Sequence, residues 1–265
     1  ELAEEFTFLN VNDRLHYYKD GIYIPEGERF IKETCRRRLH DEARINRIHE
    51  VVEHIKDTTH KNSDELNPHK HLINLINGMY DINTNILLPH SAEYLSTVRI
   101  PIFYDSTKNN IEVTDWLEST LDASYVLLAL ELFAYCLLPD VRRQIAFMLL
   151  GGGENGKSTL INVLERFIGF ENCAGIPLHE LSENRFKRAE LEGKLINCFA
   201  DLDSRDLLSS SYFKAIVSGD TIDAERKHQA PFMFKPFARL IYSANEIPIS
   251  KDKSHAYFRR WVIIP

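Results

Sequence analysis

Gly151-Gly152-Gly153-Glu154-Asn155-Gly156-Lys157-Ser158 spells G-x-x-x-x-G-K-S, and its flanks decide how it is read. The apolar run Ile145–Leu150 before it has the length of a buried strand. After it, Leu160, Ile161, Leu164, Phe167 and Ile168 fall at helical core spacing, predicting a helix over Lys157–Ile168. Strand, glycine loop and helix in that order are the context this pattern requires. Glycines let backbone N–H groups wrap a phosphate at the positive end of the helix. Lys157 brings a cation to the β and γ phosphates, and the Ser158 hydroxyl suits Mg²⁺. The expected phosphate cradle is Gly151, Gly152, Gly153, Glu154, Asn155, Gly156, Lys157, Ser158 and Thr159.

Working outward, the apolar strand Leu195–Ala200 delivers Asp201 and Asp203 at its carboxyl end, where ligands bind in open α/β sheets. Asp201 is therefore a candidate Walker B acid, holding Mg²⁺ through water, and Asp203 a candidate for orienting the attacking water. A further strand, Ala238–Ser243, ends in Asn245, whose amide can hydrogen-bond both a phosphate oxygen and a lytic water. Arg259 and Arg260 stand at the root of the apolar strand beginning at Trp261, which suits an arginine finger supplied to a neighbouring subunit. Thr221–Phe234 reads as two alternating segments around a basic tip, Arg226, Lys227 and His228, a hairpin whose cations can meet nucleic-acid phosphates. A helix is expected over Tyr212–Val217, and the stretch between Ile168 and Leu195 is read as a linker. Strands alternating with helices predict an α/β layer fold with a largely parallel sheet.

Upstream the pattern changes. Residues 1–106 mix strand-like runs (Leu15–Tyr18, Gly21–Ile24) with helices expected over Glu28–Leu39 and Glu42–Ile55, so a small α+β domain is expected to precede a core over 107–265. His60–His71 is polar and read as a loop, and Asn77-Gly78 is a turn signal ahead of Met79–Leu88. His60, His69 and His71 lack a thiolate or carboxylate framework at ligand spacing, so no metal site is expected there. Helices over Val113–Leu121 and Tyr125–Leu138 open the second part. The latter is fourteen residues with Glu131 inside, too short to cross a bilayer.

At 265 residues, 44% hydrophobic and 27% charged, the chain is long enough for two domains and has a globular composition. Its net charge of −7 excludes bulk positive charge as the means of holding nucleic acid or membrane, so any polyanion site must be local. Cys35, Cys136, Cys173 and Cys198 are scattered, suggesting neither a disulfide framework nor a zinc site and fitting a reducing compartment of a cell. The chain begins at Glu1 without a leader pattern, and is read as a segment of something longer.

Taken in order, these motifs resemble the superfamily 3 helicases of the AAA+ class, found in small DNA viruses, phages, plasmids and poxviruses. The run "AERKHQAPFMFKPFARLIYSANEIP" is similar to that family's hairpin running into its sensor motif, with Lys227 and His228 on the pair that projects into the DNA channel and Asn245 on the sensor. "LINLINGMYDINTNILLPHSAEYLST" and "RIPIFYDS" resemble the region preceding the ATPase in phage and plasmid primase-helicases. Many relatives carry adjacent acids at Walker B, whereas Ala200 precedes Asp201 here, leaving Asp203 as the candidate second acid. The resemblance implies a P-loop AAA+ ATPase using ATP and Mg²⁺. It implies a hexameric ring with nucleotide between subunits, Arg260 or Arg259 reaching across, and DNA gripped by the hairpins. A primase domain would lie upstream and any C-terminal region beyond Pro265. The alternatives are an initiator or assembly module that oligomerises on ATP without unwinding, and a P-loop kinase, which would explain neither the hairpin nor the sensor.

Overall fold

Turn chemistry and hydrophobic spacing build two compact units in the computed structural model, Glu1–Arg99 and Ile100–Pro265. The residues described are 2–109, 111–152, 156–200, 202, 210–247 and 250–265.

In the first unit, α1 (Leu2–Glu5) leads into an antiparallel meander of β1 (Phe8–Val11), β2 (Arg14–Lys19) and β3 (Ile22–Ile24). Both connections are two-residue loops, Asn12-Asp13 and Asp20-Gly21, with φ of 50°, 56°, 50° and 85°. Positive φ at both central positions matches the right-handed twist of the strands, and Asn, Asp and Gly tolerate it best. Helices α2 (Gly27–Leu39) and α3 (Ile45–Thr58) bury Ile31 and Cys35, and Ile48, Val52 and Ile55, against Phe8 and Leu15. A second meander follows in β4 (Leu72–Leu75), β5 (Gly78–Asp81) and β6 (Ile86–Leu88). Two expectations change here. The helix expected from Glu42 begins at Ile45, because His40–Glu42 forms a separate 3-10 turn and Arg44 is extended. Strands β1 and β4 are elements the sequence pattern did not reveal, each only four residues long.

The second unit opens with α4 (Ile111–Thr120) and α5 (Ala123–Cys136), then alternates. In order come β7 (Ala146–Leu150), α6 (Lys157–Ile168), β8 (Cys173–Ala174), α7 (Leu178–Glu183), α8 (Arg185–Arg188), β9 (Ile196–Phe199) and α9 (Ser211–Ser218). The hairpin strands β10 (Ile222–Ala224) and β11 (Phe232–Phe234) follow, then β12 (Arg239–Ala244), α10 (His255–Phe258) and β13 (Trp261–Ile264). The five sheet strands run parallel in the order β13-β7-β12-β9-β8. Every residue of the central strand β12 is buried, the near-continuous run expected of a parallel strand covered on both faces. The expected linker after Ile168 instead contains β8, α7 and α8. Ile176, Leu178, Leu181 and Leu191 from this stretch enter the core, and Asn184 caps α8 through the amides of Phe186 and Lys187.

Two buried polar groups tie the sheet together, one between strands and one between β12 and the segment at α5. Asn197 on β9 exchanges hydrogen bonds with the Ile176 backbone at 2.8 and 3.0 Å and donates to the Tyr242 hydroxyl of β12 at 3.1 Å. Arg239, 1% exposed, lies over the Tyr135 ring at 4.3 Å and donates to the carbonyls of Phe237 and Asp140. Burial holds its pKa below the usual arginine value. Among the described residues no helix is long and apolar enough to cross a membrane, and no group of three or more His, Cys, Asp or Glu could hold a metal ion.

Candidate functional site

Strand order brings the carboxyl ends of β7 and β12 together, with Leu150 paired to Ala244. The Gly151 amide donates to the Ala244 carbonyl at 3.1 Å, so the chain leaves β7 pinned to the last residue of β12, next to Asn245. Such an edge, beside a reversal of strand order, is where open α/β sheets bind ligands. Gly153, Glu154 and Asn155 lie outside the described residues.

Gly156 forms the N-cap of α6 at φ 83°, a left-handed conformation that glycine adopts without strain, and a Cβ there would stand 3.1 Å from Thr120 Cγ2. The helix is held by Leu160, Ile161, Leu164 and Ile168, all buried. Among the described residues no side chain caps α6 at Gly156, which leaves amides of its first turn at the positive end of the helix dipole, with Ser158 and Thr159 exposed beside them. This is a donor set suited to a phosphate.

Lys157 folds back over this segment. Its ammonium donates to the Gly151 carbonyl at 2.6 Å, the Gly152 carbonyl at 2.9 Å and Asn245 Oδ1 at 3.5 Å. Two residues singled out on separate motifs, 88 positions apart, thus meet across adjacent strands. The ammonium thus lies among the backbone carbonyls and the Asn245 amide at the carboxyl edge of the sheet.

Asp201 and Asp203 lie outside the described residues. The strand before them, β9, pairs with β12 up to Phe199, and the Leu202 amide donates to the Ser243 carbonyl at 2.8 Å.

The two arginines differ. Arg259 is exposed at the end of α10, whereas Arg260 is 8% exposed, donating to the Ala256 carbonyl and to Ser218 Oγ at 2.9 Å. Burial, then the neighbouring Arg259 charge, holds the Arg260 pKa below its ordinary value. Its guanidinium is thus committed within its own chain.

The hairpin forms as the alternation predicts, Asp223 opposite Met233 and Ala224 opposite Phe232, in a small sheet of its own. At the tip the Gln229 amide closes a turn on the Arg226 carbonyl at 3.1 Å, with His228 at φ 64°. Lys227 and His228 are exposed there. Arg226 is held back by an ion pair with Glu192 and lies 4.2 Å over the Phe232 ring.

Sequence patterning did not reveal what holds the base of the hairpin. Arg188, 4% exposed, pairs with Asp223 at 2.8 Å and lies 3.9 Å over Tyr212, whose hydroxyl donates to Asp223 at 2.5 Å. Arg185 pairs with Glu225 at 2.8 Å and Lys187 with Glu190 at 2.9 Å. Asn184 before Arg-Phe-Lys-Arg is the one local signal, an N-cap that marks α8 but not its partners.

Residues 6–122 match a family described as D5 N terminal like, and residues 149–260 match a family of unknown function, DUF5906. Over its full length the chain is 24% identical to a protein of Acanthamoeba polyphaga mimivirus provisionally named a helicase, and covers 30% of that protein. Among solved structures it is similar to the A form of the apo NrS-1 C-terminal region, at a TM-score of 0.58 and 15% identity, covering 99% of this chain and 58% of that one. A second apo structure of the same region gives a TM-score of 0.54 and 16% identity, with 99% and 59% covered. The chain therefore spans under a third of the curated relative and under two thirds of these solved chains. At these identities the structural likeness is one of fold.

Proposed function

We propose that this chain is the ATPase core, with its preceding domain, of a viral, phage or plasmid DNA helicase of the superfamily 3, AAA+ class, working as a ring. The observation that carries the reading is the meeting of Lys157 and Asn245 at the carboxyl ends of adjacent parallel strands, above a glycine-capped helix N-terminus. The D5 N terminal like match over 6–122 and the helicase-named viral relative support it from outside the site.

In this reading Gly151–Thr159 cradle the phosphates of ATP, and Lys157 leaves the Gly151 and Gly152 carbonyls for the β and γ phosphate oxygens. Ser158, with Asp201 through water, would hold Mg²⁺, which when bound neutralises charge on the phosphates. Asn245 senses the γ-phosphate and Asp203 orients the attacking water. Arg259 acts on the neighbouring protomer's nucleotide, and Arg260 fixes the strand root from which it projects. Lys227 and His228 contact DNA phosphates, and a ring multiplies that small local charge around a pore.

A reducing intracellular compartment is part of the proposal. Cys136 and Cys198 are buried, and burial pushes their thiols up, Cys136 to about 12, so they behave as small apolar groups.

The test is ATP hydrolysis by the full-length protein with and without single-stranded or forked DNA, combined with mass measurement in the presence of nucleotide. The reading expects DNA-stimulated turnover by an oligomer, abolished by Lys157→Ala. Assembly on ATP without DNA stimulation would point to an initiator or assembly module. Absence of both nucleotide binding and hydrolysis would refute the reading.

A further inference from the structure

Helix α9, which leads into the basic hairpin, is fastened at both ends and in the middle by the segment that carries the arginine pair. Asp252 lies seven residues after Asn245 and seven before Arg259. At the start of α9 its carboxylate accepts from the Ser210 hydroxyl and, at 2.9 Å, from the Lys214 ammonium, while its other oxygen accepts the Ser254 amide at 2.9 Å. Midway, Phe213 stacks on Trp261 with centroids 4.8 Å apart and planes 14° apart, and meets Tyr257 at 5.2 Å. At the end, Arg260 reaches Ser218 Oγ at 2.9 Å.

The far side of α9 is equally tied to the hairpin. Tyr212 donates to Asp223 on β10, and Arg188 binds both. The chain passes from α9 to β10 through Gly219 and Asp220, whose amides close on the carbonyls of Ile216 at 3.1 Å and Ala215 at 2.9 Å, leaving little slack. The aromatic stack already supplies apolar adhesion, which is non-directional and tolerates sliding. Three donors converging on the partly exposed Asp252 carboxylate add little stability, since pairs that water can reach are screened by it. What they add is direction: they set the rotation and register of α9 against residues 250–259.

We propose that residues 250–261 and α9 move as one body that carries the state of the nucleotide site to the hairpin tip, with Asp252 as the positioning residue that locks the two together. This linkage rests on the DNA-motor reading above.

The test uses the full-length protein on forked DNA, measuring basal hydrolysis, DNA-stimulated hydrolysis, base pairs opened per ATP, and melting temperature. Asp252→Ala should leave basal turnover and nucleotide-dependent assembly as in wild type, while DNA stimulation and base pairs opened per ATP fall at least about fivefold, the lower range of a site-to-site coupling. Lys214→Met and Ser210→Ala, which keep the Asp252 backbone environment, should each give a smaller drop in the same two quantities and serve if Asp252→Ala does not fold. Unchanged base pairs opened per ATP in the folded variants, with only a lower melting temperature, would overturn the linkage and leave Asp252 a structural tie. A wild-type protein that hydrolyses ATP without any response to DNA would refute the motor reading, and the linkage with it.

Discussion

Replacing Arg260 and Arg259 one at a time separates a fold-holding arginine from an acting one within a single dipeptide. Arg260→Ala removes donors to the Ala256 carbonyl and Ser218 Oγ and empties a site only 8% exposed. Hydrogen bonds from a charged donor contribute about 1.5–3 kcal/mol each. Part of that is offset by the cost of burying the guanidinium, whose Nε has no hydrogen-bond partner among the described residues. The net loss is about 3 kcal/mol, which for a domain of this size lowers the melting temperature by roughly 6–12 °C. Arg259→Ala, at an exposed position, should leave melting unchanged while abolishing hydrolysis. Mixed with Lys157→Ala it should recover part of the activity, because each defective protomer supplies what its neighbour lacks. The assays are thermal melting of each single variant and ATP turnover across a mixing series. If Arg260→Ala melts with wild type and is the variant rescued in mixtures, while Arg259→Ala turns over normally, the assignment drawn from burial is refuted.

Three other outcomes follow from the same geometry. Lys227→Ala with His228→Ala should spare basal hydrolysis and lose DNA stimulation and strand separation; equal loss of basal turnover would speak against a DNA-contacting tip. Tyr212→Phe keeps the ring under Arg188 but deletes the bond to Asp223, whose pKa is held low first by that hydroxyl, against partial burial, and then by Arg188. A carboxylate with a lowered folded pKa contributes stability above its unfolded value of about 3.9, lost as pH falls through the folded value. The wild-type advantage of about 1 kcal/mol, discounted for solvent screening, should therefore be constant from neutral pH to about pH 5 and shrink below about pH 4; a constant gap down to the acid limit would contradict it. Gly219→Ala forces a side chain into φ 72° with its Cβ 2.6 Å from Val141 Cγ2, costing about 2–3 kcal/mol. An unchanged urea midpoint would show that this corner can relax.

Local pattern made much of the second unit legible. Helix α6 spans Lys157–Ile168, the range its apolar spacing predicts, because the i, i+4 rows of Leu160, Leu164 and Ile168 need no distant partner to be recognised. The hairpin was legible for the same reason, since its alternation and polar tip lie within one short stretch. Strands β1, β4 and β8 were not, being two to four residues long and defined by their partners. Nor were α7, whose Leu178 and Leu181 are buried among residues remote in the chain, and α8, whose Arg188 is held by Asp223.

The amino-acid sequence by itself determined that a strand, a glycine-rich segment and a helix follow one another from Ile145 to Ile168, and that the acid and amide motifs follow strands while the arginine pair precedes one. Only the tertiary structure decided that Lys157 meets Asn245, that Arg226 is captured by Glu192, and that Arg260 turns inward to Ser218 while Arg259 stays in solvent. Periodicity is a property of neighbours along the chain. These pairings depend on which strands lie side by side and on which polar groups lose water when they do, and both are settled by packing between segments that are remote in sequence.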